Sequence, residues 1–159
     1  MRSQVTGITD MRIGPAAPCR PQERKGVVRL AETRFVIETD KSVDEAVQAV
    51  EDALAKRRFA VLWALNVNEK LGEKGQHLES PYRILEVCNA PRAKEALEAN
   101  PAVGYFLPCK MVVYQADGRT EIGLPRPTAL IGMVGDAALR GLAEDVEQVL
   151  VDAAREAAR

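Results

Sequence analysis

Three cysteines, one histidine and a few well-placed polar residues are the groups in this sequence able to do chemistry. Cys88 closes the run YRILEVC, and Cys109 opens CKMVVYQ directly after Pro108. If those runs are neighbouring strands, both sulfurs fall at one end of a sheet. A thiol pair there suits redox chemistry, sulfur transfer or a soft metal. The plainer alternative is two small buried hydrophobes, the commonest fate of free cysteine. Asn89 follows Cys88 and is of the type that caps a helix or touches a ligand. Lys74, between Gly72 and Gly75, is a candidate anion contact, and a cation beside Cys88 would favour its thiolate. Tyr82 and Glu86 share a strand face with Ile84 and Cys88, and a mid-strand carboxylate must be paired, solvent-facing or functional. The catalytic candidates are therefore Cys88 and Cys109, and the ligand-binding candidates are Lys74, Tyr82, Glu86 and Asn89.

Other chemistries are poorly served. His77 is the sole histidine and no C-x-x-C occurs, whereas tetrahedral zinc wants four ligands, so neither a metal nor a cofactor is expected. G-x-S-x-G, H-E-x-x-H and dinucleotide fingerprints are missing, and GEKG lacks the spacing of a phosphate loop. Lys and Arg total 22 against 23 Asp and Glu, a net charge of -1 that gives no general attraction to nucleic acid or anionic lipid. No apolar run approaches the roughly 20 residues of a spanning helix, and no export signal is recognisable. A cytoplasmic, single-domain protein is the expectation, since 159 residues that are 47% hydrophobic can bury a core.

The elements that must position these residues can be read from period and punctuation. Residues 1–30 hold Pro15, Pro18 and Pro21 among Arg20, Arg24 and Lys25, and read as a flexible leader ahead of one domain over 31–159. RFVIET alternates into a strand. Ser42 and Glu45 form a capping box before Val43, Ala46, Val47, Val50, Ala53 and Leu54, which fall on one helical stripe. Asp52 and Lys56 are spaced to pair on that helix. Residues 59–67 form a strand with Phe59, Val61, Trp63, Leu65 and Val67 on one face, followed by a loop or frayed helix over 68–80. A strand over 82–88, a helix over 91–99 and an apolar segment over 103–107 come next. Strands over 109–115 and 119–124 flank the Asp117-Gly118 hairpin turn. After a poorly patterned stretch from Thr128 to Gly135, a helix capped by Asp136 carries Leu139, Leu142, Ala143, Val146, Val149 and Leu150 on one side. The sum is an α+β sandwich of two layers, an antiparallel-rich sheet with helices on one face.

PYRILEVCN at 81–89, ALEANPAVGYFLPC at 96–109, the KMVVY that follows and the EKG at 73–75 together resemble the domain of unknown function 302 family. The resemblance covers about four-fifths of the chain. It implies a fold like the TATA-binding-protein-like class, a homodimer, and no established activity. One departure is that Ala90 stands between the Cys-Asn pair and Pro91, where the family has Pro directly after Asn. The expected function is a small cytoplasmic homodimer that binds a small ligand or a partner. The alternative is a thiol-dependent protein using Cys88 and Cys109, with neither nucleic acid nor membrane as partner.

Overall fold

The structure is a computed structural model in which residues 30–159 are described; the expected leader falls outside them, save its last residue. The chain runs through α1 (Leu30–Thr33), β1 (Arg34–Thr39), α2 (Val43–Ala55), β2 (Ala60–Asn66), α3 (Val67–Gly72), β3 (Tyr82–Cys88) and α4 (Ala90–Ala99). A 3-10 segment (Pro101–Phe106), β4 (Cys109–Ala116), β5 (Arg119–Pro125), α5 (Pro127–Gly132), a short 3-10 turn (Ala137–Leu139) and α6 (Arg140–Ala157) complete it. The strands form one sheet in the order β1-β5-β4-β3-β2, every neighbouring pair antiparallel.

Local chemistry explains why these stretches take these forms. The Ser42 hydroxyl accepts from the Glu45 amide while the Glu45 carboxylate accepts from the Ser42 amide at 2.8 Å, closing the capping box at the start of α2. Asp117 and Gly118 have φ of 49° and 80°, the paired left-handed conformation that a two-residue hairpin needs. One stripe of α2 (Val43, Ala46, Val50, Ala53, Leu54) and one of α6 (Leu150, Val151, Ala153, Ala154) bury against Leu85, Val87, Met111, Val113, Ile122 and Leu124. Each large side chain so buried contributes about 1.5–3 kcal/mol relative to exposure. The helices thus cover one face of the sheet, the two-layer α+β arrangement read from the sequence.

Three local expectations need correcting. A β-bulge lies between Val61 and Trp63: Val61 pairs with Val87, while Trp63 pairs with Glu86. The extra residue shifts the side-chain alternation by one, so Val61 turns toward the helices and Trp63 toward the opposite face, not one face for both. The apolar segment after α4 winds as the 3-10 segment Pro101–Phe106. The stretch after Arg126 contains α5, begun by Pro127, and the helix expected from Asp136 starts as a 3-10 turn before α6. Finally, Lys56 bonds Glu156 of α6 at 2.7 Å, and Asp52 accepts from Gln48 instead.

Candidate functional site

Because β3 and β4 run antiparallel, the last residues of one meet the first of the other. Val87 is the register partner of Cys109, which sets Cys88 one step beyond it at the same sheet end. Asn89 then turns the chain: its side-chain oxygen accepts from the Arg92 amide at 3.1 Å, capping α4, and its NH2 donates to the Arg58 carbonyl at 3.1 Å. The inserted Ala90 leaves that cap intact, with the helix beginning at Ala90 and Pro91 in its first turn. Asn100 closes α4 and starts the 3-10 segment by accepting from the Ala102 amide. A cis Leu107-Pro108 bond leads into Cys109.

These elements, with α5 and the start of α6, roof the sheet end and leave a cavity of about 60 Å³. Cys88 and Cys109 both border it, with Phe59, Val103, Leu139 and Val146 among the apolar walls. The cavity lies at the seam between the main core and a smaller apolar cluster centred on Ala96, Val103 and Leu139. Arg92 and Lys110 also border it, but Arg92 is engaged by Glu95 (3.1 Å) and Asp145 (3.4 Å), and Lys110 by Glu86.

Burial dominates the electrostatics of the thiols. It pushes Cys109 up to about 11, with the neighbouring Cys88 adding to the shift, and it raises Cys88 as well. Both are protonated at neutral pH, the opposite of an activated nucleophile. Lys74 does not help: its turn follows α3, which leaves β2 at Asn66, the partner of Arg83 at the far end of β3. Five residue steps at about 3.3 Å put that end roughly 17 Å from Cys88. The expected Lys74–Cys88 association is therefore overturned by the antiparallel path of β2 and β3.

The remaining candidates scatter. Tyr82 stacks on Tyr114 with ring centroids 5.0 Å apart, and the Tyr114 hydroxyl donates to Glu121. Glu86 is ion-paired with Lys110 on the face away from the helices. The structure thus brings together Cys88, Cys109 and Asn89, with Glu86 nearby through Lys110, and leaves Tyr82 and Lys74 at the other end. The roof residues Ala96 and Val103 escaped sequence reading, since they lie on separate short elements with no shared period, and Leu139 was legible only as part of the last helix's apolar side.

A second, polar cleft of about 300 Å³ lies between β1, α5 and α6. The Phe35 ring is flanked by the guanidiniums of Arg126 (5.9 Å) and Arg155 (5.5 Å). Glu147 accepts from Arg126 and from the amide and hydroxyl of Thr128. Burial raises its carboxyl, and those hydrogen bonds outweigh burial and hold it below its ordinary value. Among the described residues no three His, Cys, Asp or Glu side chains converge as a metal site.

Fold and site together define a small two-layer α+β domain whose distinctive feature is an apolar, thiol-bordered cavity at one sheet end. The model of the family described as Domain of unknown function DUF302 matches residues 35–157, and the chain belongs to that family. The crystal structure of an uncharacterized conserved DUF302 protein from Bacillus stearothermophilus is 42% identical, with a TM-score of 0.76; the match covers 80% of this chain and 98% of that one. No curated protein matches the chain. No helix among the described residues is long and apolar enough to cross a membrane.

Proposed function

We propose that this chain is a homodimeric binding domain that receives a small apolar group in the cavity at the Cys88–Cys109 end. The observation that carries this reading is the cavity itself, walled by apolar side chains where two hydrophobic clusters meet. Its volume of about 60 Å³ exceeds the roughly 10–15 Å³ that a water requires. It falls below the roughly 300 Å³ of a typical organic-ligand pocket, so the occupant is a very small molecule or the end of an apolar chain. Xenon titration tests it: methyl signals of Val87, Val103, Leu139 and Val146 shift, and Ala96→Leu, which fills the space, abolishes the response. Unshifted methyls at saturating xenon would remove the reading.

What supports the dimer is the helix-free face of the sheet, the one that no helix among the described residues covers. One unbroken register row, Val36–Gly123–Val112–Ile84–Leu65, crosses all five strands without a charge. An antiparallel sheet with one solvated face is ordinarily polar there. Several of the flanking charges are already matched (Glu86 with Lys110, Arg119 with Glu38), which lessens repulsion when a like patch meets its copy. Light scattering that gives a monomer at micromolar concentration would exclude it. A cytoplasmic location belongs to the same proposal, consistent with two unpaired thiols.

The thiol-dependent alternative (redox, sulfur transfer or soft-metal binding) keeps one observation in its favour: Cys88 and Cys109 border the same cavity. Two thiols with no third ligand beside them among the described residues suit sulfur–sulfur chemistry better than a metal centre.

A further inference from the structure

We propose that Cys88 and Cys109 form a reversible intramolecular disulfide when the protein meets a low-molecular-weight disulfide, latching the end of β3 to the start of β4 at the cavity's edge. The inference deepens the thiol-dependent reading above and needs no ligand in the cavity. Its basis is geometric. Cys109 is the register partner of Val87, so Cys88 is diagonal to it by one residue. Ladder partners have Cα atoms about 4.5–5.5 Å apart, and one further step along the strand adds about 3.4 Å at right angles. The diagonal comes to about 6 Å, inside the roughly 4.4–6.8 Å window for a disulfide. Within a regular strand, successive side chains would point to opposite faces. Here β3 ends at Cys88, still paired with Ala60, and β4 begins at Cys109; at these two strand ends both residues border one cavity. Each thiol is free, and Cys109 senses Cys88 electrostatically.

The order of events follows from access. Cys88 is the less buried of the two and reacts first. Its thiol gives up a proton and the sulfur attacks one sulfur of the small disulfide. That S–S bond breaks, and the departing thiolate takes up a proton to become a free small thiol. The product is a mixed disulfide on Cys88. Cys109 then loses its proton and attacks the Cys88 sulfur, which forms the Cys88–Cys109 bond and expels the second small thiolate, protonated in turn. Two protein thiols have given two electrons and two protons, and one small disulfide has become two thiols.

The full chain carrying Cys19→Ser, which removes the third thiol, is incubated natively with oxidised glutathione and mapped by mass spectrometry. The expected product is a cross-linked 88–109 peptide with both free thiols lost, reversed by dithiothreitol. Cys109→Ser should accumulate glutathione on Cys88, while Cys88→Ser should slow modification of Cys109 at least tenfold. A mixed disulfide persisting on Cys88 with Cys109 present, a cross-link between two copies, or native thiols left untouched would each overturn the latch. Maleimide labelling of the reduced native protein separates the two levels. If Cys88 labels but no cross-link forms, the latch fails and the thiol reading stands; if neither labels before unfolding, both fail.

Discussion

Val36 and Val112, on strands that are not paired with each other, close over Gly123 between them. A Cβ placed on Gly123 would stand 3.3 Å from Val112 Cγ2 and 3.5 Å from Val36 Cγ2, with the Phe35 carbonyl at 3.4 Å. The two valines fill the place of the missing side chain and make the row across the helix-free face continuous. Both are β-branched and stiff at χ1, so neither swings aside cheaply.

Gly123→Ala should therefore destabilise the protein. Replacing glycine ordinarily gains about 0.4–1 kcal/mol through the unfolded chain, but overpacking costs about 1–3 kcal/mol. The net expectation is a loss of about 1 kcal/mol, read as a lower urea midpoint at unchanged slope. A stabilised variant would show that the valines yield freely.

The same row supplies the dimer prediction. Ile84→Arg places a charge at its centre, where the copy's own row would lie, and should convert a dimer to a monomer while leaving the far-ultraviolet dichroism intact. Leu54→Ala, on the opposite side of the sheet within the main core, serves as the control. It should cost about 2–5 kcal/mol of stability without making the folded protein monomeric. If Ile84→Arg stays dimeric, the interface lies elsewhere.

Asn89 offers a test of cap against ligand contact. Its two hydrogen bonds, to the Arg92 amide and the Arg58 carbonyl, tie the start of α4 to the turn ahead of β2, where Arg58 has a φ of 60°. Asn89→Ala should cost about 1–2 kcal/mol, the usual loss for a helix N-cap. Asn89→Asp should recover the cap but lose the donor to Arg58, for a smaller loss. Chemical denaturation of the three proteins checks the order.

How much of this was legible beforehand depended on whether the signal was local. The Ser42–Glu45 box, the α2 stripe, the Asp117-Gly118 turn and the Asn89 cap each rest on residues within a few positions, and the sequence contains their whole cause. The meeting of Cys88 with Cys109 was also foreseeable, because adjacent antiparallel strands force it. The bulge after Val61 was not: uninterrupted apolar residues carry no mark of where an extra one is inserted. Lys74 was misjudged for a related reason, since its loop's position depends on the direction of β2 relative to β3. The cavity was invisible, because its roof joins the start of α6 to α4, α5 and the 3-10 segments, elements too short or too weakly periodic to announce a common partner.

Glu147 sets an acid-side expectation. Hydrogen bonds from Thr128 and Arg126 outweigh the upward push of burial and hold its folded carboxyl below the ordinary 4.5. A depressed carboxyl contributes stability above the unfolded value and loses it as pH falls through the folded one. Unfolding free energy should thus decline as pH drops below 4.5, and Glu147→Gln should flatten part of that decline. At neutral pH the same substitution should cost about 1–3 kcal/mol by weakening the charged hydrogen bonds. Urea midpoints at pH 3.5 and 7 for both proteins read the two effects.

Cys109 sets the alkaline counterpart, with the opposite sign. Its folded value of about 11 stands above the unfolded 9.0, because burial and then the neighbouring Cys88 disfavour the thiolate. A raised value means the folded state holds the proton more tightly, so the contribution is complete below pH 9 and is lost as pH rises toward 11. Two units of difference correspond to about 2–3 kcal/mol at the upper end, reduced in practice by structural relaxation. The wild-type urea midpoint should therefore fall between pH 8.5 and 10.5, and Cys109→Ala should fall less over the same range. A parallel decline in both proteins would assign the alkaline loss to other groups and place the Cys109 sulfur in contact with solvent.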